Sequence, residues 1–204
     1  MYVRTIYTTG DPARLDGVAE ALSSEGRRLL SEQPGFRGMG IFVDRDLGKL
    51  LVGSWWEDEE SRDASFERLS ERRSELLSPF ARTVAVDNWE APVARRAESP
   101  GPDARFRFVR LEVDPSDVDL LVDTFKNTAL PKIEGIPGLA GTSLLVDRAR
   151  GRAAVGALFD DQASLTASRA TLAEVRGETT SKARVVTRSL EEFEVVLTTV
   201  VPRP

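Results

Sequence analysis

The 204-residue sequence contains no cysteine and no histidine. Without cysteine there is neither a disulfide framework nor a thiolate metal site. Without histidine the chain lacks the commonest metal ligand, the usual haem ligand and the usual general base near neutral pH, so any catalysis must use other groups. Basic residues are outnumbered, 28 Lys and Arg against 33 Asp and Glu, for a net charge of −5. No segment gathers Lys and Arg without interleaved acids, which argues against a nucleic-acid partner. No apolar run approaches the roughly 18 residues that a membrane span needs, so no membrane partner is expected. The start, Met-Tyr-Val-Arg-Thr-Ile-Tyr, reads as a strand rather than as a basic region followed by an apolar core, and a cytoplasmic location is expected. Also missing are a Walker loop, a dinucleotide glycine fingerprint after a strand and a nucleophile elbow. The acidic run at 57–60 does not supply a metal site, because consecutive carboxylates at a helix start do not converge on one point. The expectation is therefore no metal and no cofactor.

What the chain does contain is a repeat. Residues 34–65 and 137–168 align without a gap at an offset of 103: Pro34-Gly35 answers Pro137-Gly138, Val43-Asp44-Arg45 answers Val146-Asp147-Arg148, and Gly48, Gly53, Asp58 and Ser61 recur at Gly151, Gly156, Asp161 and Ser164. Thirteen of the 32 positions are identical, where about two would be expected by chance, so the chain is two copies of one unit.

Each copy reads β-α-β-β-α-β. Tyr2 to Thr8 alternates as a strand; Asp11-Pro12 opens a helix, and Leu15, Val18, Leu22 and Leu29 give it an apolar stripe to about Glu32. Gly38 to Val43 and Lys49 to Trp56 read as a hairpin around Asp44 to Gly48; a second helix follows the acids at 57–60 and runs to Leu77; Thr83 to Ala91 reads as a fourth strand. The second copy repeats the order, with strands over Phe106 to Val113, Thr142 to Val146, Ala153 to Phe159 and Glu192 to Val200. This is the split βαβ or ferredoxin-like unit, whose helices cover one sheet face and leave the other bare. The reading gives unit 1 over 1–95, a polar Pro/Gly-rich linker over 96–104 and unit 2 over 105–204. Two bare faces on one chain are expected to pair within the molecule, and a further homodimer stays open.

Asp44-Arg45 and Asp147-Arg148 are explained by the turn, and Pro34-Gly35 and Pro137-Gly138 by the helix-to-strand junction. Trp56 alternates with Leu50, Val52 and Ser54, and Trp55 with Leu51 and Gly53 on the opposite face. Asn88 shares a face with Val84 and Val86, where an amide needs a partner or a ligand. Tyr7 and Arg4 could each supply a donor to an enolate or phenolate, with edge or interface positions as their other reading. Arg72 and Arg73 belong to a solvated helix face from which one guanidinium could turn inward as an anion clamp.

The run from helix one through Pro-Gly-x-x-Gly, the hairpin and Trp56-Glu57-Asp58-Glu59-Glu60-Ser61 resembles the antibiotic biosynthesis monooxygenase domain of the dimeric α+β barrel superfamily. The resemblance covers nearly all of both copies. It implies an α+β fold of two tandem ferredoxin-like units packed sheet to sheet as a pseudo-dimeric barrel. Relatives often carry a histidine a few positions into helix two, where this chain has Ala64-Ser65 and Ala167-Ser168. The resemblance places Trp56 in a pocket between sheet and helices and implies a cofactor-independent monooxygenase-like activity on a small aromatic or quinol-type molecule. On that reading Trp56, Asn88 and Tyr7 are the catalytic candidates, and Leu50, Val52, Trp56, Arg72 and Arg73 bind substrate. The alternative is a non-catalytic small-ligand-binding or structural barrel. Because Phe159 replaces Trp56 in the second copy, the first copy is expected to be the more polar site.

Overall fold

The computed structural model describes residues 1–96, 100–101 and 103–200. Of the expected linker, residues 97–99 and 102 lie outside the described residues. The chain divides into two compact units, one of Met1–Trp89 with the residues from Glu194 on, the other of Glu90–Phe193.

In the first unit, β1 (Tyr2–Gly10) leads into α1 (Pro12–Ala21), whose start is fixed by Asp11: its carboxylate accepts from the Ala13 N–H at 3.0 Å, with Pro12 in the first turn. A π-helical turn, Leu22–Gly26, joins α1 to α2 (Arg27–Ser31). The hairpin β2 (Phe36–Asp44) and β3 (Lys49–Trp56) follows, then α3 (Glu59–Arg68), α4 (Ser70–Leu77) and β4 (Ala81–Arg96). The second unit repeats this with β5 (Arg105–Glu112), a 3₁₀ turn at Pro115–Asp117, α5 (Val118–Thr124), a π-helical turn at Phe125–Ala129, α6 (Leu130–Glu134), β6 (Leu139–Asp147), β7 (Arg152–Phe159), α7 (Gln162–Ala183) and β8 (Val186–Val200). Both units have the α+β class and the βαββαβ order expected from the repeat.

The repeated identities have local causes. Asp58 and Asp161 cap α3 and α7, each accepting from a backbone N–H three residues on, of Ser61 and Ser164, at 2.7 Å. Those serines press on Gly35 and Gly138, whose φ values are +71° and +74° and where an added Cβ would lie 2.5 and 2.3 Å from the serine Oγ. Only glycine meets both demands. Arg45 reaches Asp16 on α1 and Glu194 on β8; Arg148 likewise reaches Asp119 on α5 and Glu90 on β4. The Asp-Arg repeat is therefore more than turn chemistry, since the arginine ties a helix to a strand.

The two long strands differ from expectation. β4 runs on to Arg96 and β8 begins at Val186; β4 belongs to the first unit up to Trp89 and to the second from Glu90, and β8 to the second up to Phe193 and to the first from Glu194. Within unit 1 the strand order is β4-β1-β3-β2-β8, with Gly38 to Val43 pairing with Val200 to Glu194. Within unit 2 it is β8-β5-β7-β6-β4, with Glu90 to Arg96 pairing with Val146 to Gly141. The strand expected over Thr83 to Ala91 continues through Pro92, which sits where the β4 register shifts between Glu90 and Val93, and a bulge needs no ladder N–H there. One residue is gained between the copies at the end of α7, where Arg184 takes φ +54°; beyond it the offset becomes 104, so that Trp89 answers Phe193.

On the helix side of unit 1, Leu15, Val18 and Leu22 pack against Met39, Ile41, Leu50, Val52 and Trp56. Unit 2 builds the same layer from Leu121, Phe125, Ile133, Leu144, Val155 and Phe159.

Candidate functional site

Between the sheet and helices of unit 1 lies a cavity of about 80 Å³. Strand register builds its floor: Arg4 on β1 stands opposite Ser54 on β3, and Ile6 opposite Val52, so these side chains and Trp56 share the helix-facing side. Leu22, Gly26 and Leu30 come from the first helical segment, Phe66, Leu69, Arg73 and Leu76 from the second.

Trp56 is fully buried, its ring edge-on to Phe36 at 5.5 Å. Its Nε1–H donates to Ser54 Oγ at 3.0 Å. The indole N–H is thus already used within the protein, so Trp56, a catalytic candidate from the sequence, does not offer it to a ligand. The free donor is the Ser54 hydroxyl, which has no acceptor among the described residues and lines the cavity. An indole that fixes a hydroxyl is one step removed from the ligand.

The larger charge is Arg4, only 4% exposed. Its Nε donates to Asn88 Oδ1 at 2.9 Å, Nη1 to the Arg62 carbonyl at 2.6 Å and Nη2 to Asp63 Oδ1 at 2.8 Å. Burial, with repulsion from Arg62 and Arg73, lowers its pKa to about 10 against the pull of Asp63, so it stays cationic at neutral pH. Arg62, equally buried, donates to Asp63 and Glu59. The Phe66 ring takes both neighbouring guanidiniums, Arg4 at 4.2 Å and Arg73 at 3.6 Å from its centroid. Arg73 also donates to the Phe66 carbonyl at 2.8 Å, near the break between α3 and α4 at Leu69. Among the described residues no carboxylate pairs with Arg73, and burial lowers its pKa. Among the described residues no carboxylate lines the cavity. Its polar wall consists of two cations and hydroxyls, a lining that suits an anion and offers no general base.

Of the residues singled out from sequence, Val52, Trp56 and Arg73 line the cavity. Leu50 is buried in the core beside it without lining it. Asn88 also stays out of the lining; it holds Arg4. Tyr7 pairs with Leu51 on the opposite sheet face, so it is not a donor to this cavity. Arg72 points outward to Glu25 and Glu75. Arg4, which the sequence offers either as a donor or as an edge residue, is as buried as Arg62 and lines the cavity. Ser54 and Phe66 carry no motif. A usable signal existed all the same: at the offset of 103, Arg4 answers Arg107 and Arg73 answers Arg176.

The second copy has a cavity of about 60 Å³ in the corresponding place, lined by Arg107, Val109, Phe125, Val155, Ala157, Leu172 and Arg176 among others. The two arginines recur, but the Ser54–Trp56 pair becomes Ala157 and Phe159. Both halves of the hydrogen bond are lost together.

Residues 1–68 match the family model described as antibiotic biosynthesis monooxygenase. An uncharacterized protein of Mycobacterium tuberculosis is 35% identical over 131 residues, 64% of this chain; the match spans only 58% of that relative's length. Among solved structures, an anthrone oxidase-like protein superposes with a TM-score of 0.72 at 16% identity, covering 98% of this chain and 92% of its own. A heme-degrading enzyme of Listeria monocytogenes gives 0.56 at 9% identity over 95% and 99%. At such identities the shared feature is the fold, and that fold carries more than one chemistry. No helix among the described residues is long and apolar enough to cross a membrane.

Proposed function

We propose that unit 1 binds a small, weakly acidic aromatic or quinol-type molecule as its anion and promotes its oxygenation by dioxygen without a cofactor. The observation that carries this reading is the cavity lining: an apolar chamber whose polar groups with donors to spare are the Ser54 hydroxyl and the Arg73 guanidinium, only one of whose N–H groups is taken, by the Phe66 carbonyl. Donors fixed beside a phenolate or enolate oxygen favour the ionised form, and in an enclosed site they act with little competition from water. Since the chain has no imidazole and no carboxylate among the described residues lines the chamber, the substrate's proton leaves to solvent.

The anion itself reduces dioxygen. For a single-ring quinol, a ring carbon forms a bond to one oxygen and the terminal oxygen takes a proton, giving a hydroperoxide. Cleavage of its O–O bond and loss of the ring C–H then release water and leave a carbonyl. One quinol and one dioxygen give one hydroxyquinone and one water, so all four electrons come from the quinol. At about 80 Å³ the chamber is smaller than the roughly 150 Å³ cavity that takes a benzene, so one ring is the upper limit and seating it requires the lining side chains to move outward.

The test is oxygen uptake with hydroquinone as probe. Saturable uptake that yields hydroxybenzoquinone, returns no oxygen on adding catalase and persists with a chelator is the expected result. The S54A/W56F variant, which copies the lining of the second unit, is expected to lose about 100-fold in rate. Uptake no faster than in buffer would sink the oxygenase reading. The second reading, a non-catalytic binder of small anions, rests on the same arginines and predicts ligand binding without turnover.

A further inference from the structure

We infer that unit 2 holds a ligand site of its own, for a short aliphatic carboxylate, that binds without oxidising. Its floor is the apolar cavity bounded by Phe125, Val155, Ala157, Leu172 and Val175, with no indole and no serine. Arg107 and Arg176 line this cavity and also a wider depression beside it, together with Arg169, Leu190 and Glu192. A tail in the cavity thus sets its head group among three guanidiniums and one carboxylate.

The charges there are unevenly matched. Glu192 accepts from Arg107 Nε at 3.1 Å and from Arg169 Nε at 3.2 Å, so one carboxylate serves two arginines. Arg176 is half-buried and, among the described residues, has neither an ion pair nor a hydrogen bond. A half-buried guanidinium beside an apolar chamber, with its donors unclaimed, is matched by a carboxylate, which accepts two parallel N–H bonds from it. At about 60 Å³ the chamber takes a branched tail of a few carbons rather than a fatty acyl chain. In unit 1 the place of Arg169 is held by Phe66, whose ring stacks with both arginines of the site. The second unit has exchanged that aromatic lid for a third cation and so reads as the stronger anion site.

The probes are isovalerate and its neutral amide, isovaleramide, followed by NMR of the Val155, Leu172 and Val175 methyl groups in the full chain. Isovalerate is expected to shift these resonances saturably at millimolar concentration, the amide to bind at least tenfold more weakly, and R176Q to weaken isovalerate about tenfold while leaving the amide unchanged. R73Q, in unit 1, is expected to leave all of this unaltered. No saturable shift, equal binding of acid and amide, or undiminished binding by a folded R176Q would each overturn the inference. Because the readout lies in unit 2 and needs no oxygen, a failure of hydroquinone oxidation leaves it standing.

Discussion

Arg4 and Arg107 occupy the same place on the first strand of their units, yet their counter-charges come from different elements. In unit 1 the strand neighbour is neutral Asn88 and the charge comes from Asp63 on α3. In unit 2 the strand neighbour is Glu192, and the residue answering Asp63 is Thr166. The negative charge has moved from helix to strand around a guanidinium that stayed put. A buried cation tolerates a change in the origin of its counter-ion far better than the loss of it. What duplication preserved is the pair of arginines facing each cavity; what diverged is the rest of the polar lining. Unit 1 kept or gained a hydroxyl fixed by an indole, and unit 2 an unpartnered guanidinium at a chamber whose hydroxyls, those of Thr179 and Thr180, are spent on helix carbonyls.

The sharpest way to test the difference is to remove the indole. Trp56→Ala deletes a fully buried side chain and is expected to cost about 3–5 kcal/mol, read from urea unfolding. S54A/W56F, which imposes the other copy's lining, is expected to cost only about 1–2 kcal/mol, because unit 2 already packs a phenyl ring at Phe159. If the double variant unfolds as readily as Trp56→Ala, the two cavities are not interchangeable frameworks and the comparison fails.

Capping and turn signals that lie within a few residues of each other were legible. Asp58 with Ser61, and Asp161 with Ser164, announce helix starts, and the repeat itself gave the order of elements. The site was legible only in part. Trp56 and Val52 follow from alternation along β3, but Arg4 finds its partners 58, 59 and 84 residues away. A strand position whose side chain is buried by contacts of that range has no local signature and reads as an edge. The ends of β4 and β8 were hidden for a related reason. Residues 90–96 and 186–191 show no clean apolar alternation, and their ladders are closed by strands of the other copy's sequence or by β5. Extending the offset of 103 to residues 4 and 73 would have drawn attention to both arginines.

A smaller effect should separate the two counter-ions. Hydrogen bonds from Arg62 and Arg4 hold the Asp63 carboxyl below its ordinary range; for Glu192 burial pushes the other way, but Arg169 and Arg107 still bring it down. A carboxyl lowered in the folded state stabilises fully above its unfolded pKa, near 4, and loses that contribution as pH falls through the folded value. Glu192→Gln is expected to cost about 1–3 kcal/mol at pH 7, since it strips charge from two arginines. Asp63→Asn should cost under about 1 kcal/mol, because Asp63 is half exposed and water replaces much of what is lost. Both penalties should shrink at pH 3. A Glu192→Gln penalty equal at pH 7 and pH 3 would assign it to shape rather than charge.

The smallest expected effect is also the most symmetric. Arg45 ties Asp16 on α1 to Glu194 on β8, and Arg148 ties Asp119 on α5 to Glu90 on β4; both arginine side chains are 44% exposed. Each acidic partner on a shared strand comes from the part of that strand lying beyond its own copy's compact unit, so these ion pairs anchor the segments that the copies exchange. Exposed pairs of this kind contribute little, and Arg45→Ala and Arg148→Ala are each expected to cost under about 1 kcal/mol, by nearly equal amounts, with the loss smaller in high salt. Urea midpoints of the two variants at low and high ionic strength provide the measurement. A marked inequality would mean that one exchanged strand depends on its ion pair while the other is held by packing and ladder bonds alone, and the equivalence of the two units would then end at their sheets as well as at their cavities.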